Sequence, residues 1–582
     1  MKKTITTIII IVVANFISIG LNAQDIDRPG PAEWANLIKG ARFMDRYEAM
    51  PDGKLSNDVW GCYKVHARFI DNGIETPDIS FWGGNIMKDE NGKYHLYLCG
   101  WPESAEKGHF DYVNSVIYNT ESDNLIGPYH ITDTIGKGHN PTIIKTKDGS
   151  YVLYCINDKY VKGTQYGNDK MHRPIRSAAC FVSKSLNGPW KLVPFQYDFR
   201  DRIATPGKNN WDHNFTFTRR EDGSSLAINR GGQAWVSKDG ISTYNLISDE
   251  IVYPAVSGKY EDPVVWRDNV QYNLIVNDWL GRVAHYMRSP DGIHWTEEEG
   301  EAYVPGVSFH KDGFKENWYK YERIRIYQDE YGRAIQANFA VIDTSKFEDH
   351  GSDNHSSKNI SIPMNPGMLI YLQNKERITR STKEIKVLVK DEANFHPAKE
   401  LDFNSLHFGA ASEVNYGRGA IIKSYKVLGN GNVELIFNHE NNCITDDIFA
   451  PKMIGHKKDG SMVFGYCRKP WMNYNTEILS ARKPIIKIKG NKIFSETLVD
   501  NYGQVESKPS FMTISLFANG EEIELASATI PRIKAYAQAR IKATHSREAD
   551  VIALEKGKTY PAIVKIFRRE GKPELFHTEL KL

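Results

Sequence analysis

The chain is 582 residues long, carries 74 Lys and Arg against 72 Asp and Glu, and has a formal net charge of +2. That length holds more than one domain with ample core, and a balanced charge without a long basic block excludes nucleic acid or an anionic membrane as the main partner. Six cysteines in a chain of this size are not a disulfide framework.

In chain order, the first element is a leader. Met1-Lys2-Lys3, an apolar run from Ile5 to Ile19 and Ala23 before Gln24 read as a secretory signal peptide over residues 1–23, too short for a membrane span. No cysteine follows the cleavage point, so no lipid or membrane anchor is expected. The mature protein should begin near Gln24, in the periplasm or outside the cell.

Five later stretches share one register. Gly83 to Lys88, Asn140 to Lys145, Asn214 to Arg219, Asp262 to Arg267 and Glu322 to Tyr327 each open a short β-type run, at spacings of 57, 74, 48 and 60 residues. In the first three, a turn glycine (Gly92, Gly149, Gly223) follows nine positions later and a second apolar run begins, which is a hairpin written three times. Third and fourth strands follow, around Ser122 to Tyr129 and Ser183 to Trp190, with weaker echoes at Ser237 and Ser289. Four strands per unit, repeated every 50 to 70 residues or so, is the pattern of a β-propeller blade. The predicted fold is all-β: a five-bladed propeller over residues 24–370, then β-sandwich modules over 371–480 and 481–582. In the modules, Cys443 and Cys467 are spaced so that they can pair, and the surfaces are free for packing on the propeller, for carbohydrate or for a homodimer.

Propeller geometry sends the start of every innermost strand to one axis. The axial column then reads Gly83, Asn140, Asn214, Asp262, Glu322, and the column before it Trp82, His139, His213, Glu261, Tyr321. Packing alone would fill such positions with small or apolar residues, because unpaired buried charge is costly. The columns are therefore read as a site. Trp, Tyr and Phe make up 12% of the chain; most should be inter-blade packing, but Trp82, Trp211 and Tyr321 lie in or beside the columns, where flat rings can stack on sugars.

The openings, the Ser-x-x-x-x-Gly-Pro-aromatic phrases at Ser122 to Tyr129 and Ser183 to Trp190, and Glu261-Asp262-Pro263 together resemble the five-bladed propeller glycoside hydrolases of families 43 and 117, over residues 60 to 370. That resemblance implies exo-acting, inverting removal of a terminal sugar by a base, an acid and an orienting carboxylate, on the family 117 side from anhydro-galactose-containing red-algal oligosaccharides. The chain departs from family 43 at Gly83, where that family has an aspartate, and from family 117 at Tyr321, where that family has a histidine.

Inverting hydrolysis needs an acid and a base roughly 6.5–9.5 Å apart. Glu322 is the expected acid, desolvated beside Tyr321, and Asp262 the orienting carboxylate. The base is open between Asp78, before the first inner strand, and Asp212; the alternative for Asp78 is a turn residue after Pro77. Trp82, His139, Asn140, Asp212, His213, Asn214, Glu261, Tyr321 and Arg323 are expected to bind substrate. His139 and His213 admit substrate contact, proton transfer or an axial cation of calcium type, with substrate contact preferred; no zinc spacing occurs, and the chemistry requires no cofactor. Two rival readings are a non-catalytic glycan-binding propeller and a uronate-specific polysaccharide lyase. Arg323 and Arg325 partly suit the lyase, and equally suit a sulfate or carboxylate on a hydrolase's substrate.

Overall fold

The computed structural model describes residues 27–56, 67–161, 173–202, 214–255, 258–490, 492–546, 555, 557–568 and 572–582. The predicted leader, Trp211, Asp212 and His213 lie outside them. Among the described residues helix is confined to short turns such as Ala32–Asn36 and Pro397–Glu400, and strands carry the structure. No helix among them is long and apolar enough to cross a membrane.

Five antiparallel meander sheets follow one another. The first is Ile79–Lys88, Tyr94–Pro102, Val116–Ser122 and His130–Lys137; the second His139–Lys145, Tyr151–Val161, Arg173–Ser183 and Lys191–Pro194. The third runs from Thr216–Arg219 to Tyr244–Leu246, with Tyr197–Asp198 added in parallel at its outer edge. The fourth runs from Tyr260–Arg267 to Thr296–Tyr303, and the fifth has three strands, Lys320–Gln328, Ala334–Ile342 and Ser357–Pro363. Each first strand touches the first strands of the sheets before and after it, and the fifth returns to the first. The ring is sealed from upstream: Ile74 bridges Asn359, and Asn72 exchanges hydrogen bonds with Ser361. Gly73 is what lets the chain come so close. Its φ is +63°, and a Cβ there would lie 2.0 Å from the Asn359 carbonyl oxygen.

The same local device recurs in the inner strands. Pairing skips between Trp82 and Asn85, His139 and Thr142, Glu261 and Val264, and Glu322 and Arg325. At each skip sits a left-handed residue: Gly83 (φ 71°), Asn140 (55°), Asp262 (53°) and Arg323 (52°), joined by Asn214 (54°) in the third sheet. These are bulges that turn two consecutive side chains toward the ring centre. They also correct the predicted register by one residue in the fifth unit, where Arg323 rather than Glu322 is level with Asp262, and the last spacing is 61. Glu322 takes the place in the preceding column assigned to Tyr321. The shift was hidden because the other bulge residues are Gly, Asn and Asp, which tolerate positive φ, whereas arginine does not advertise it.

The remaining chain forms two further β units. Seven strands from Ile370–Leu372 to Met462–Tyr466 make one continuous sheet around a core that includes Ile385, Phe408, Leu435 and Met453. Its edges nearly meet, since the Met368 N–H donates to the Phe464 carbonyl at 2.7 Å. The sheet is thus rolled, where a sandwich was expected: one continuous strand path encloses its own core. From Leu479–Ala481 onward two four-stranded sheets share a core of Val499, Leu516, Val564 and Phe576, and this unit is a sandwich. Cys443 and Cys467 are free thiols, the first exposed and the second buried, so the suggested pair is absent; Cys99 and Cys155 are buried thiols as expected.

Arg200 locks the sandwich to the third sheet. It is 1% exposed, and its guanidinium donates to the Ser480 carbonyl (2.9 Å), Asp500 (2.7 Å) and the Tyr502 hydroxyl (2.7 Å). Arg200→Ala should cost about 3 kcal/mol, because it strands Asp500 and a backbone carbonyl at a buried junction. Urea unfolding of the two proteins measures it, and an unchanged midpoint would contradict the interface.

Candidate active site

Four of the five inner strands are joined at the ring centre by a relay of side chains. Asn140 Nδ2 donates to Asn214 Oδ1 (2.8 Å), and Asn214 Nδ2 donates to Asp262 Oδ1 (2.9 Å) and Glu261 Oε1 (3.3 Å). Arg323 Nη1 closes the relay by donating to Asp262 Oδ1. All four residues of the relay are buried. The fifth strand position is Gly83, whose empty side faces Arg323: a Cβ there would stand 3.8 Å from Arg323 Nε. Among the described residues that Nε has no acceptor. Arg325 lies beneath, donating to Thr142 Oγ1 at 2.9 Å.

The second layer carries the remaining carboxylates. Glu322 is 1% exposed and salt-bridged on both sides, its Oε2 to Lys346 and its Oε1 3.3 Å from Lys320 Nζ. Each lysine also faces an indole, Lys346 at 4.8 Å from the Trp82 ring centre and Lys320 at 5.6 Å from Trp279. Glu261 is more accessible, with 19% of its side chain exposed and Oε2 3.2 Å from Arg230. Burial pushes its pKa up, and the charges of Asp262 and Glu322 add to that against the pull of Arg230 and Lys346. Asp262 moves the other way. Burial would raise it, but the Arg323 guanidinium, with Lys346 and Arg325 behind it, outweighs burial and holds the carboxyl below the usual range.

The rest of the wall is aromatic. His109, on the turn Gly108–Asn114, packs edge-on against Trp82 (4.6 Å) and Trp101 (5.4 Å). Burial, then Lys346 and Lys320, push its pKa well below the usual range, so the ring is neutral. His139 is buried against Tyr112 at 5.1 Å.

Of the predicted residues, Trp82, His139, Asn140, Asn214, Glu261, Asp262, Glu322 and Arg323 come together here. Two do not. Tyr321 is a core residue: its hydroxyl lies 2.5 Å from Ser308 Oγ and its ring packs on Phe339, because strand alternation turns it away from Glu322. The desolvated setting predicted for Glu322 is therefore replaced by two ammonium groups. Asp78 is exposed at the tip of a tight turn closed by the Thr76–Ile79 bridge, five residues upstream of Gly83, about 16 Å of extended strand. It is a turn residue and not a partner of Asp262. Asp212 and His213 fall outside the described residues.

Lys320, Lys346, Arg230 and His109 were not anticipated. Lys320 had a signal, since it stands two residues before Glu322 and so on the same strand face. Lys346 and His109 reach in from loops, where no periodicity announces direction. An axial divalent cation fits this donor set poorly, because Asp262 Oδ1 is already engaged by the fixed cation of Arg323. Among the described residues no group of three His, Cys, Asp or Glu is placed to hold a metal. A cleft of about 740 Å³ lies elsewhere, between the Asp329–Arg333 turn and the rolled sheet, where Arg333 is bound to Asp329 and Glu392.

No protein-family model matches the chain, and no curated protein matches it. Solved structures do. A family 117 glycoside hydrolase of the marine bacterium Zobellia galactanivorans is 13% identical with a TM-score of 0.35, covering 55% of this chain and 89% of that one. The catalytic domain of a family 62 α-L-arabinofuranosidase of Coprinopsis cinerea is 11% identical with a TM-score of 0.35, covering 49% and 91%. A xylan β-1,4-xylosidase of Bacillus halodurans is 9% identical with a TM-score of 0.32, covering 87% and 91%. The solved structures to which this chain is similar thus include glycoside hydrolases of several families.

Proposed function

We propose that the five sheets are the blades of a five-bladed β-propeller and that the protein is a secreted, exo-acting, inverting glycoside hydrolase. The observation that carries this reading is the divergence of neighbouring carboxyl groups: Glu261 is pushed up and partly accessible, while Asp262, next in sequence, is pushed down and buried. Paired carboxyls driven apart by their surroundings are how one site holds an acid and an ionised partner at the same pH. Glu261 gives the proton to the leaving oxygen. Glu322, held between Lys346 and Lys320, takes a proton from the attacking water. Asp262, fixed by Asn214 and Arg323, orients the sugar and the relay. Trp82 offers a ring at the wall, and no cofactor enters any step.

A polysaccharide lyase working through a histidine and a tyrosine could not draw on Tyr321, whose hydroxyl is bound to Ser308 in the core. A screen of red-algal, green-algal and plant-wall oligosaccharides tests the proposal. Release of a terminal monosaccharide with inverted anomeric configuration, followed by NMR, supports it. An unsaturated product would indicate a lyase instead, and binding without release a glycan-binding protein.

The pH profile gives a second check. Glu261 must be protonated to act, so kcat/KM falls as pH rises through its raised pKa. Arg230 lowers that pKa, so Arg230→Gln should move the alkaline limb to higher pH. A limb that stays in place or moves down would remove Glu261 from the role.

A further inference from the structure

The mouth of the site carries an aromatic pair that the mechanism does not use. Phe110 is 42% exposed and Phe347 45% exposed, and their ring centres are 5.3 Å apart at 47°. Single exposed phenylalanines are ordinary on a protein surface. This pair differs in three respects.

Each ring follows directly on a site residue, Phe110 after His109 and Phe347 after Lys346. The two come from different sheets, yet their loops are fixed together. A Cβ on Gly108 would lie 2.0 Å from the Asp349 carbonyl oxygen, one on Gly351 would lie 2.4 Å from that of Ala105, and the Ser352 N–H donates to the Glu103 carbonyl at 3.0 Å. Finally, depth is graded: Glu322 and Trp82 are buried below, and the phenylalanines stand open above. A rigid apolar surface next to a polar, buried floor is a shape that receives a ligand with one part inside and one part outside.

We propose that Phe110 and Phe347 form a platform on which the sugar ring adjoining the cleaved one stacks its apolar face. The inference rests on the hydrolase reading and deepens it: the substrate is an oligosaccharide, and the ring on the leaving-group side has one face free of charged substituents. The terminal sugar occupies the ring centre between Glu261 and Glu322. Its neighbour leaves toward solvent across the two phenyl rings.

The test compares oligosaccharides of two to five units, from the same red-algal, green-algal and plant-wall panel, with the 4-nitrophenyl glycoside of the same terminal sugar. In the Phe110→Ala/Phe347→Ala variant the ratio of kcat/KM for oligosaccharide over aryl glycoside should fall by about tenfold or more, through KM. Phe347→Tyr in the Phe110 background should keep most of it. A ratio unchanged in the double variant, with an unchanged melting temperature, overturns the platform and leaves the hydrolase reading standing. Calorimetric titration of the same oligosaccharides into Glu261→Gln separates the two ideas. Binding that weakens on removing the phenylalanines supports the platform even if no substrate of the panel is cleaved. If no oligosaccharide of the panel binds or is cleaved, the platform is abandoned.

Discussion

Glu261→Gln lowers kcat on a natural oligosaccharide by about a hundredfold or more, while leaving binding nearly intact. Glutamine keeps the shape of the side chain and its contacts with Asn214 but has no proton to give, and general acid catalysis contributes about 10²–10⁴ in rate. An aryl glycoside with an acidic leaving group needs little protonation, so it should restore much of the lost rate. The contrast is Glu322→Gln. That change removes the acceptor for the water proton, which no leaving group replaces, so both substrates should suffer alike. Should Glu261→Gln match the wild-type rate on the oligosaccharide, the proton donor lies elsewhere, and His139 becomes the group to examine.

Arg323→Met should be among the most destabilising single changes in the ring, at about 3–5 kcal/mol. Arginine supplies the cation that holds Asp262 ionised in a buried place; methionine fills the space and leaves the charge behind. The double variant Arg323→Met/Asp262→Asn should recover a large part of that loss, because it removes the stranded charge as well. The sign of the pH dependence separates Arg323→Met from the wild type. In the wild type the Asp262 pKa is depressed on folding, so its contribution is present above the unfolded value of about 3.9 and is lost as pH falls through the folded one. Without Arg323 burial is opposed only by the lesser pull of Lys346 and Arg325, and the folded pKa is expected above the unfolded one. The variant therefore gains relative stability as pH falls through that raised value, opposite to the wild type. Denaturant midpoints measured between neutral and acid pH decide it, and parallel curves for the two proteins would refute the pairing.

How much was legible beforehand can be followed residue by residue. The hairpin glycines Gly92 and Gly149 and the serine turns at Ser122 and Ser183 are local chemistry, and they marked the sheets well; in both turns the serine oxygen accepts a backbone N–H two residues on. Asn140, Asn214 and Asp262 were found because each opens a β-type run at a matching place in the repeat, and in the structure all three have positive φ. Arg323 broke that rule, and the fifth strand was read one step out of phase. In a strand one step exchanges the faces, so Tyr321 was given the seat that Glu322 holds. The proposed role of acid moves from Glu322 to Glu261 for a second reason. The surroundings that set Glu261 and Glu322 apart include Lys346 and Arg230, which reach in from loops distant in sequence and leave no trace near either glutamate. Asp78 shows the reverse case, where the turn after proline is found as expected and its exposed carboxylate stands outside the relay.

The seam that seals the ring has a consequence for the order of assembly. Ile74 and Asn359 pair across 284 intervening positions of sequence, so the entropy of closing that loop is spent only after the fifth sheet exists. During synthesis the first sheet waits, its inner strand unaccompanied on one side, until the last arrives. Trp82 belongs to one bank of the seam and Lys346 with Glu322 to the other. The floor of the candidate site is therefore absent from every shorter nascent chain and comes into being in the same event that completes the circle.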